Sequence, residues 1–378
     1  MLHALATPPQ REHRSVRAYG VGSRRLIGSP VLASYWALAC ERQRVYLDRL
    51  AGATAPWTQD PIIRRYRFTN AYRAADRVSQ ELLRVQYAGS QDRQDLDFRT
   101  LLFRFFNKPS TWQMLQSAFG ELTWGNFAAT RYDEVLNAAL ARGQRLYSAA
   151  YIIPPPHLGG GRKHENHLRL IELMMADGVA DKLCAAPTLK EAYELLRSYP
   201  SLGPFLSFQL AIDLNYTSLL SFDEDDFVVA GPGASSGIGK CFLDTGELSD
   251  ADIVRWMSDT QEEQCAERGL EFRTLFGRRL RLIDCQNLFC ETDQYARVAH
   301  PDMPGIGGRS RIKQEFTPQG ALAPPFFPPR WAWPTRWRSS WGGSCHRRSD
   351  GGRNVSVRVC RSARTVPPRC SVNLWKTR

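Results

Sequence analysis

Three short stretches carry groups suited to holding an anion or moving a proton. Phe222-Asp223-Glu224-Asp225-Asp226-Phe227-Val228-Val229 sets four acids before an apolar run. A carboxylate in such a place could orient a nucleophile, take up a proton or stabilise a cation. Read alone, the run is equally a solvated cap. Next comes Gly231-Pro232-Gly233-Ala234-Ser235-Ser236-Gly237-Ile238-Gly239-Lys240. Its glycines free the backbone to approach a ligand and Lys240 offers a point charge, so Gly231, Gly233 and Lys240 read as a phosphate or pyrophosphate cradle. A plain flexible glycine loop is the alternative. The spacing is not that of a nucleotide-binding P-loop, the Ser or Thr that should follow Lys240 is missing, and no acidic magnesium-binding strand comes after it, so no ATP-dependent kinase motif is expected here. The third stretch, Tyr199-Pro200-Ser201-Leu202-Gly203-Pro204, joins two apolar helical patterns. Backbone N–H groups exposed at a helix start stabilise an anion without a basic side chain.

Two further segments are rich in polar groups. Arg64, Arg65, Arg67, Arg73 and Arg77 interleave with Tyr66, Phe68 and Tyr72. Such a pattern can grip a phosphate backbone and stack on an unpaired base. On one helix, Arg73 and Arg77 would share a face, with Asn70 a turn earlier and Asp76 and Gln80 adjacent. An Arg–Asp network between packed helices is the competing reading. In the segment from Asp284 to Arg297, four-residue steps put Asn287, Glu291 and Tyr295 on one helix face, with Gln286 beside them, as a site wall or a buried network. His164 and His167 lie three apart and read as a solvent-facing pair, so no metal site is expected.

The elements that must position these groups are helical. Apolar spacing predicts helices from Ser34 to Leu50, one or two between Ile62 and Tyr87, and further ones over Leu96–Phe106, from Pro109, over Tyr132–Leu140, His164–Met175 and Thr188–Arg197, the last with a capping-box-like Thr188-x-x-Glu191. Pro154 to Gly161 reads as a loop. Strand signals are confined to Phe227–Val229 and Arg281–Ile283, too short to require a sheet. The fold expected is all-α, a multi-helix domain.

The helix–turn–helix at 195–211 resembles the helix-hairpin-helix module of DNA repair glycosylases, with Ser201 standing where that module has its first glycine. The resemblance implies a DNA-glycosylase-like element in which Ser201, Gly203 and Gln209 lie at a DNA phosphate and Asp226 is the catalytic carboxylate; in pyrophosphate chemistry, as the alternative, Lys240 would converge on the same cavity as a second catalytic group. A wider resemblance rests on Tyr66-Arg67-Phe68-Thr69-Asn70-Ala71-Tyr72-Arg73-Ala74-Ala75-Asp76-Arg77-Val78-Ser79-Gln80, on Arg197-Ser198-Tyr199-Pro200, on the Gly-Pro-Gly-Ala loop, and on Asp284-Cys285-Gln286-Asn287-Leu288-Phe289-Cys290-Glu291-Thr292-Asp293-Gln294-Tyr295-Ala296-Arg297. Over residues 34–330 these resemble the helical domain family of 5-hydroxymethyl-deoxyuridine (5-hmdU) DNA kinases, related to α-glutamyl/putrescinyl-thymine pyrophosphorylases. That resemblance implies a DNA base hypermodification enzyme, a transferase on oxidised or (pyro)phosphorylated thymine. Its partners would be DNA carrying that base and a separate kinase or thymine-oxidising dioxygenase; no cofactor is identified. Excision of the modified base, or DNA binding without catalysis, remain the other readings.

The whole-chain charge of +12 is a property of the ends. Residues 331–378 hold ten Arg and one Lys against one Asp, and residues 1–30 five Arg against one Glu, which leaves the body slightly acidic. Residues 1–30 read as a disordered N-terminal segment, 31–330 as the helical domain, and 331–378 as a disordered basic tail or a gene-model artefact, with a DNA-binding arm as the alternative. Nine scattered cysteines without a C-x-x-C pair exclude a disulfide framework and the common zinc motifs. No membrane or secretory segment is expected, so the chain reads as intracellular, and nuclear if its source is eukaryotic.

Overall fold

The computed structural model describes residues 17–148 and 153–333, apart from 304, 306, 307, 313 and 319; the tail from 334 onward lies outside them. The described chain opens with strands β1 (Arg17–Val21) and β2 (Arg24–Gly28), followed by helices α1 (Pro30–Leu50), α2 (Pro61–Arg65), α3 (Arg77–Tyr87), α4 (Arg93–Phe106), α5 (Pro109–Phe119) and α6 (Ala129–Ala141). Then come α7 (Lys163–Ala176), α8 (Val179–Ala185), α9 (Leu189–Arg197), α10 (Pro204–Asn215), α11 (Pro232–Cys241), strand β3 (Phe242–Asp244), α12 (Asp250–Asp259), α13 (Gln261–Glu267) and α14 (Leu282–Ala299).

The all-α expectation is corrected by a small antiparallel sheet in the order β1-β2-β3. Two of its strands come from residues 17–28, expected to be loose. Gly22, at φ +58°, makes the tight turn between them. β3 reaches the same sheet from the end of α11, and the bond from the Ser29 amide to the Cys241 carbonyl, 2.8 Å, ties the two ends together. Neither short apolar run singled out as a strand signal is one: 281–283 opens α14, and 227–229 stays irregular.

Local chemistry accounts for the helix starts. Pro occupies the first position of α1, α2, α5, α10 and α11, where a missing N–H costs nothing. Ser29, Asp60, Asp92 and Thr188 accept amides of the first turn. The stretch between Ile62 and Tyr87 is not continuous helix. α2 ends at Arg65, residues 73–75 make one 3-10 turn, and α3 starts at Arg77, so Arg73 and Arg77 do not share a helix face.

α14 is the axis on which the domain is built. Its closest neighbour is α11, the segment expected to be a glycine loop. A Cβ on Gly237 would stand 2.1 Å from the Phe289 carbonyl oxygen, and one on Gly233 would stand 3.1 Å from Cys290 Sγ. The glycines there let two backbones touch rather than cradle a ligand. α9 and α10 form an αα-hairpin across residues 198–203, with Ser201 at φ +64° in the turn.

The core holds a charged triad. Asp213, fully buried on α10, pairs with Arg73 at 2.7 Å and with Arg104 of α4 at 2.6 Å. Gln209 extends it, accepting from Arg73 Nε at 2.8 Å and donating to Gln286 Oε1 at 3.2 Å.

Candidate functional site

Residues 66–72 run irregularly between α2 and the 3-10 turn at 73–75, held to α1 and α14 by hydrogen bonds. Arg42, on α1, donates from Nε to the Thr69 carbonyl at 3.0 Å and from Nη2 to Asn70 Oδ1 at 2.9 Å. The Thr69 amide donates to Glu291 Oε2 on α14 at 2.8 Å, and Gln294 Nε2 holds the other carboxylate oxygen at 3.2 Å. Asp76 Oδ1 accepts the Asn70 amide at 2.7 Å, while Asn70 Nδ2 donates to the Ala75 carbonyl at 2.8 Å. One guanidinium and two carboxylates from three distant parts of the chain therefore meet at one patch.

The electrostatics of the patch are those of a proton-exchanging site. Burial raises the Asp76 carboxyl to about 7, the nearby Glu291 adds to the rise, and the Asn70 amide, Arg42 and Arg73 oppose it. Burial also raises Glu291, against the Thr69 amide, Arg42 and Arg67. Asp76 thus exchanges its proton near neutral pH, the range in which a general base or acid works best. Arg64, Arg65, Arg67 and Arg77 on the same stretch of chain are exposed, Arg65 beside Glu315 at 3.5 Å, in a form that can meet phosphates.

The sequence-predicted residues fall into four groups. Arg67, Asn70, Arg77 and Glu291 belong to this patch or its rim. Tyr295, one turn beyond Glu291, donates to Asp60 Oδ2 at 2.7 Å, so it anchors the N-cap of α2; Asn287 is half-buried on the same helix. Arg73, Gln209 and Gln286 are buried in the core network, which corrects their reading as phosphate or pocket residues: a guanidinium 2% exposed and paired with Asp213 cannot reach DNA. Lys240 is corrected likewise. It is 1% exposed, pairs with Asp293 Oδ1 at 3.0 Å and donates to the Asp293 carbonyl at 3.0 Å, so its charge is neutralised inside the protein.

The last group surrounds the hairpin. Ser201 and Gly203 lie at the start of α10, and Gly231 caps α11 under the ring of Phe205, where a Cβ would stand 2.4 Å from the ring. Asp226 is exposed, and its loop is fixed by neighbours instead. Glu224 is buried against Arg278 at 2.8 Å, Asp225 pairs with Arg281, and Arg255 donates to the carbonyls of Asp225 at 2.6 Å and Asp226 at 3.0 Å. The run expected to place a carboxylate in a pocket thus spends most of its acids on helix docking. A cavity of about 350 Å³ lies elsewhere, between α3, α4 and α5, lined by Arg84, Arg99, Phe103, Trp112, Gln116 and Glu121.

Sequence reasoning missed Arg42, because an arginine on the polar face of a long helix carries no signal until its partners are known. It mentioned Asp76 only as a neighbour of the arginines. The signal that could have found both is the density of hydrogen-bonding types in Thr69-Asn70 and Asp76, short polar residues whose side chains compete with helical backbone bonds.

This is a helical domain with a polar surface site built where an irregular motif crosses its central helix. The model of the family described as "5-hmdU DNA kinase, helical domain" matches residues 29–305, and the chain belongs to that family. The chain is also 25% identical over 289 residues to a protein of Bacillus phage SP10 named 5-hmdU DNA kinase, the match covering 71% of this chain and 45% of the relative. It therefore spans less than half the length of that relative. No solved structure matches it significantly.

Proposed function

We propose that this domain works on 5-hydroxymethyluracil, or on its phosphate or pyrophosphate ester, in DNA, and that the patch around Asp76 is where it does so. The observation that carries this reading is the Asp76 carboxyl, raised to about 7 between Arg42 and Glu291, with exposed Arg77 next to it in the chain and exposed Arg67 acting on Glu291. The relative's name supplies the base, and the arginines supply a grip on the backbone around it. An enzyme acting at the 5-hydroxymethyl group of a paired base must draw it out of the duplex, and Tyr66, half-buried beside Arg65, offers a stacking surface at the rim.

In the transferase form of the reading, an amine attacks the methylene carbon of the pyrophosphorylated base. The new C–N bond forms as the C–O bond to pyrophosphate breaks, and the amine's surplus proton goes to Asp76. Arg67 and Arg77 balance the phosphate charge. The hairpin turn at Ser201 and Gly203 serves as a second backbone contact. Lys240 and Asp226 take no part in this scheme, since one is neutralised in the core and the other lies outside any cavity described for the fold.

The test incubates the purified chain with duplexes containing hydroxymethyluracil, its phosphate or its pyrophosphate, with amines offered as acceptors, and analyses the nucleosides by mass spectrometry. A new thymine adduct supports transfer. An unchanged nucleoside pool with all three duplexes reduces the domain to a DNA-binding module.

A further inference from the structure

We propose that Asp133, His164 and Glu165 form a site for one divalent transition-metal ion, Zn²⁺ or Mn²⁺, which clamps the start of α7 to α6. Each residue offers one ligand atom, and the three atoms lie within 4.8 Å of one another. Two ligands of a single ion at about 2.1 Å stand at most about 4.2 Å apart, so the trio needs only side-chain adjustment to close on one.

Two of these atoms, Asp133 Oδ1 and His164 Nε2, are buried without a hydrogen-bond partner among the described residues. His164 is 2% exposed, against the expectation of a solvent-facing pair. Its Nε2 approaches Asp133 Oδ1 to 2.9 Å without hydrogen-bond alignment, and both atoms are buried with no other partner. His167, the other member of the expected pair, is engaged elsewhere, its Nδ1 3.0 Å from the Tyr147 hydroxyl.

The outer oxygens are already held, as the outer atoms of metal ligands usually are. Asp133 Oδ2 accepts Asn137 Nδ2 at 2.7 Å, and Arg162 grips the Asn137 side-chain oxygen from the other side. Glu165 Oε2 accepts the Gly161 amide at 2.7 Å, which leaves Oε1 for an ion. The loop that supplies this amide is pinned in turn: the amides of Leu158 and Gly160 both donate to Asn166 Oδ1 at 3.0 Å.

Charge agrees with the assignment. Two carboxylates and an imidazole balance a doubly charged cation. One nitrogen and two oxygens with open positions suit Zn²⁺ and Mn²⁺.

The test strips the full chain of metal with a chelator and titrates it with Mn²⁺, followed by electron paramagnetic resonance and by thermal melting. Mn²⁺ is the first probe because it ignores the free thiols that Zn²⁺ would find. The expected result is one saturable site per chain and a rise in Tm on binding. Glu165→Gln and Asp133→Asn are each expected to weaken affinity at least tenfold, and Asn137→Ala by about tenfold through the outer contact. Glu165 is only half-buried, so its variant keeps the fold and is checked by melting in chelator. The absence of a saturable site, or an affinity unchanged in Glu165→Gln and Asp133→Asn, overturns the proposal.

Discussion

Glu291 accepts the backbone N–H of Thr69 at 2.8 Å across 222 residues of chain, and that bond seats the motif segment on α14. A carboxylate on a helix face can hold an extended strand of backbone only if the strand leaves an amide free, and residues 66–72 do so because they are not helical. The helix break that separates α2 from α3 is thus what creates the site. Two acids then sit close together in a half-buried place, and their mutual repulsion adds to burial in raising Asp76.

If Asp76 accepts a proton in the reaction, its charged form is the active one. Because its carboxyl is raised to about 7, the rate of base modification should climb between pH 6 and 8. Asp76→Asn keeps an oxygen to accept the Asn70 amide, so the fold should persist while the rate falls about 10²- to 10⁴-fold and the pH dependence flattens. Nucleoside mass spectrometry over that pH range reads both effects. A variant that retains the wild-type rate sinks the role given to this carboxylate.

The rim arginines make a separable prediction about DNA. Arg67→Ala and Arg77→Ala should each weaken duplex binding regardless of sequence, and each should lower the slope of log K against log salt by about 1. Arg73→Lys, in contrast, should disturb folding, because Arg73 is enclosed with Asp213 and Gln209. Fluorescence anisotropy at several salt concentrations, beside thermal melts, distinguishes a surface contact from a core one.

The core triad should be costly to break. Removing Asp213 leaves Arg73 and Arg104 buried without their shared counter-ion, and loss of one member of such a group costs about 3–5 kcal/mol. Asp213→Ala should show this in urea denaturation. Gly237→Ala tests the other structural contact, because its Cβ would meet the backbone of α14 at 2.1 Å, where no flexible side chain can yield. A loss of at least about 1–3 kcal/mol is expected.

Much of the helical frame was readable because it follows simple rules. Pro109 and Thr188 mark starts, apolar spacing marks faces, and the four-residue steps of α14 put Glu291 and Tyr295 on the side that receives α2 and the motif segment. Glycine misled the reading at Gly231–Lys240. The residues that free a loop for a phosphate also let two helices pack at backbone distance, and only the facing Phe289 and Cys290 tell which applies. Charge misled it too. Lys240 and Arg73 look available in a string of letters, and their partners Asp293 and Asp213 lie 53 and 140 residues away, beyond any local pattern. The sheet escaped notice because two of its strands, Arg17–Val21 and Arg24–Gly28, carry three exposed arginine side chains and little apolar alternation.

Stability against pH provides a last test, and its sign depends on which buried groups titrate. Asp97 is 2% exposed with Oδ2 unpartnered, and burial, helped by Asp181, raises it to about 7. Asp76 stands at the same value and Asp284 at about 6. A carboxyl raised in the folded state holds a proton that the unfolded chain has lost, so each makes the fold less stable as pH rises from about 4 to its folded pKa. Two histidines oppose this lower down. Burial drops His167 to about 4 and also lowers His164, so folding is favoured as pH rises toward about 6.5, where the unfolded imidazoles lose their protons. Above about 6.5 the histidines no longer contribute to the slope, whereas Asp76 and Asp97 still do. The urea midpoint should therefore fall between pH 6.5 and 8. Asp97→Asn, which cannot ionise, should remove its part of that fall from about pH 4 upward, leaving the opposing histidine contribution unchanged. A midpoint that keeps climbing through pH 8 in the wild-type protein would mean that these two carboxyls are not held protonated by the fold.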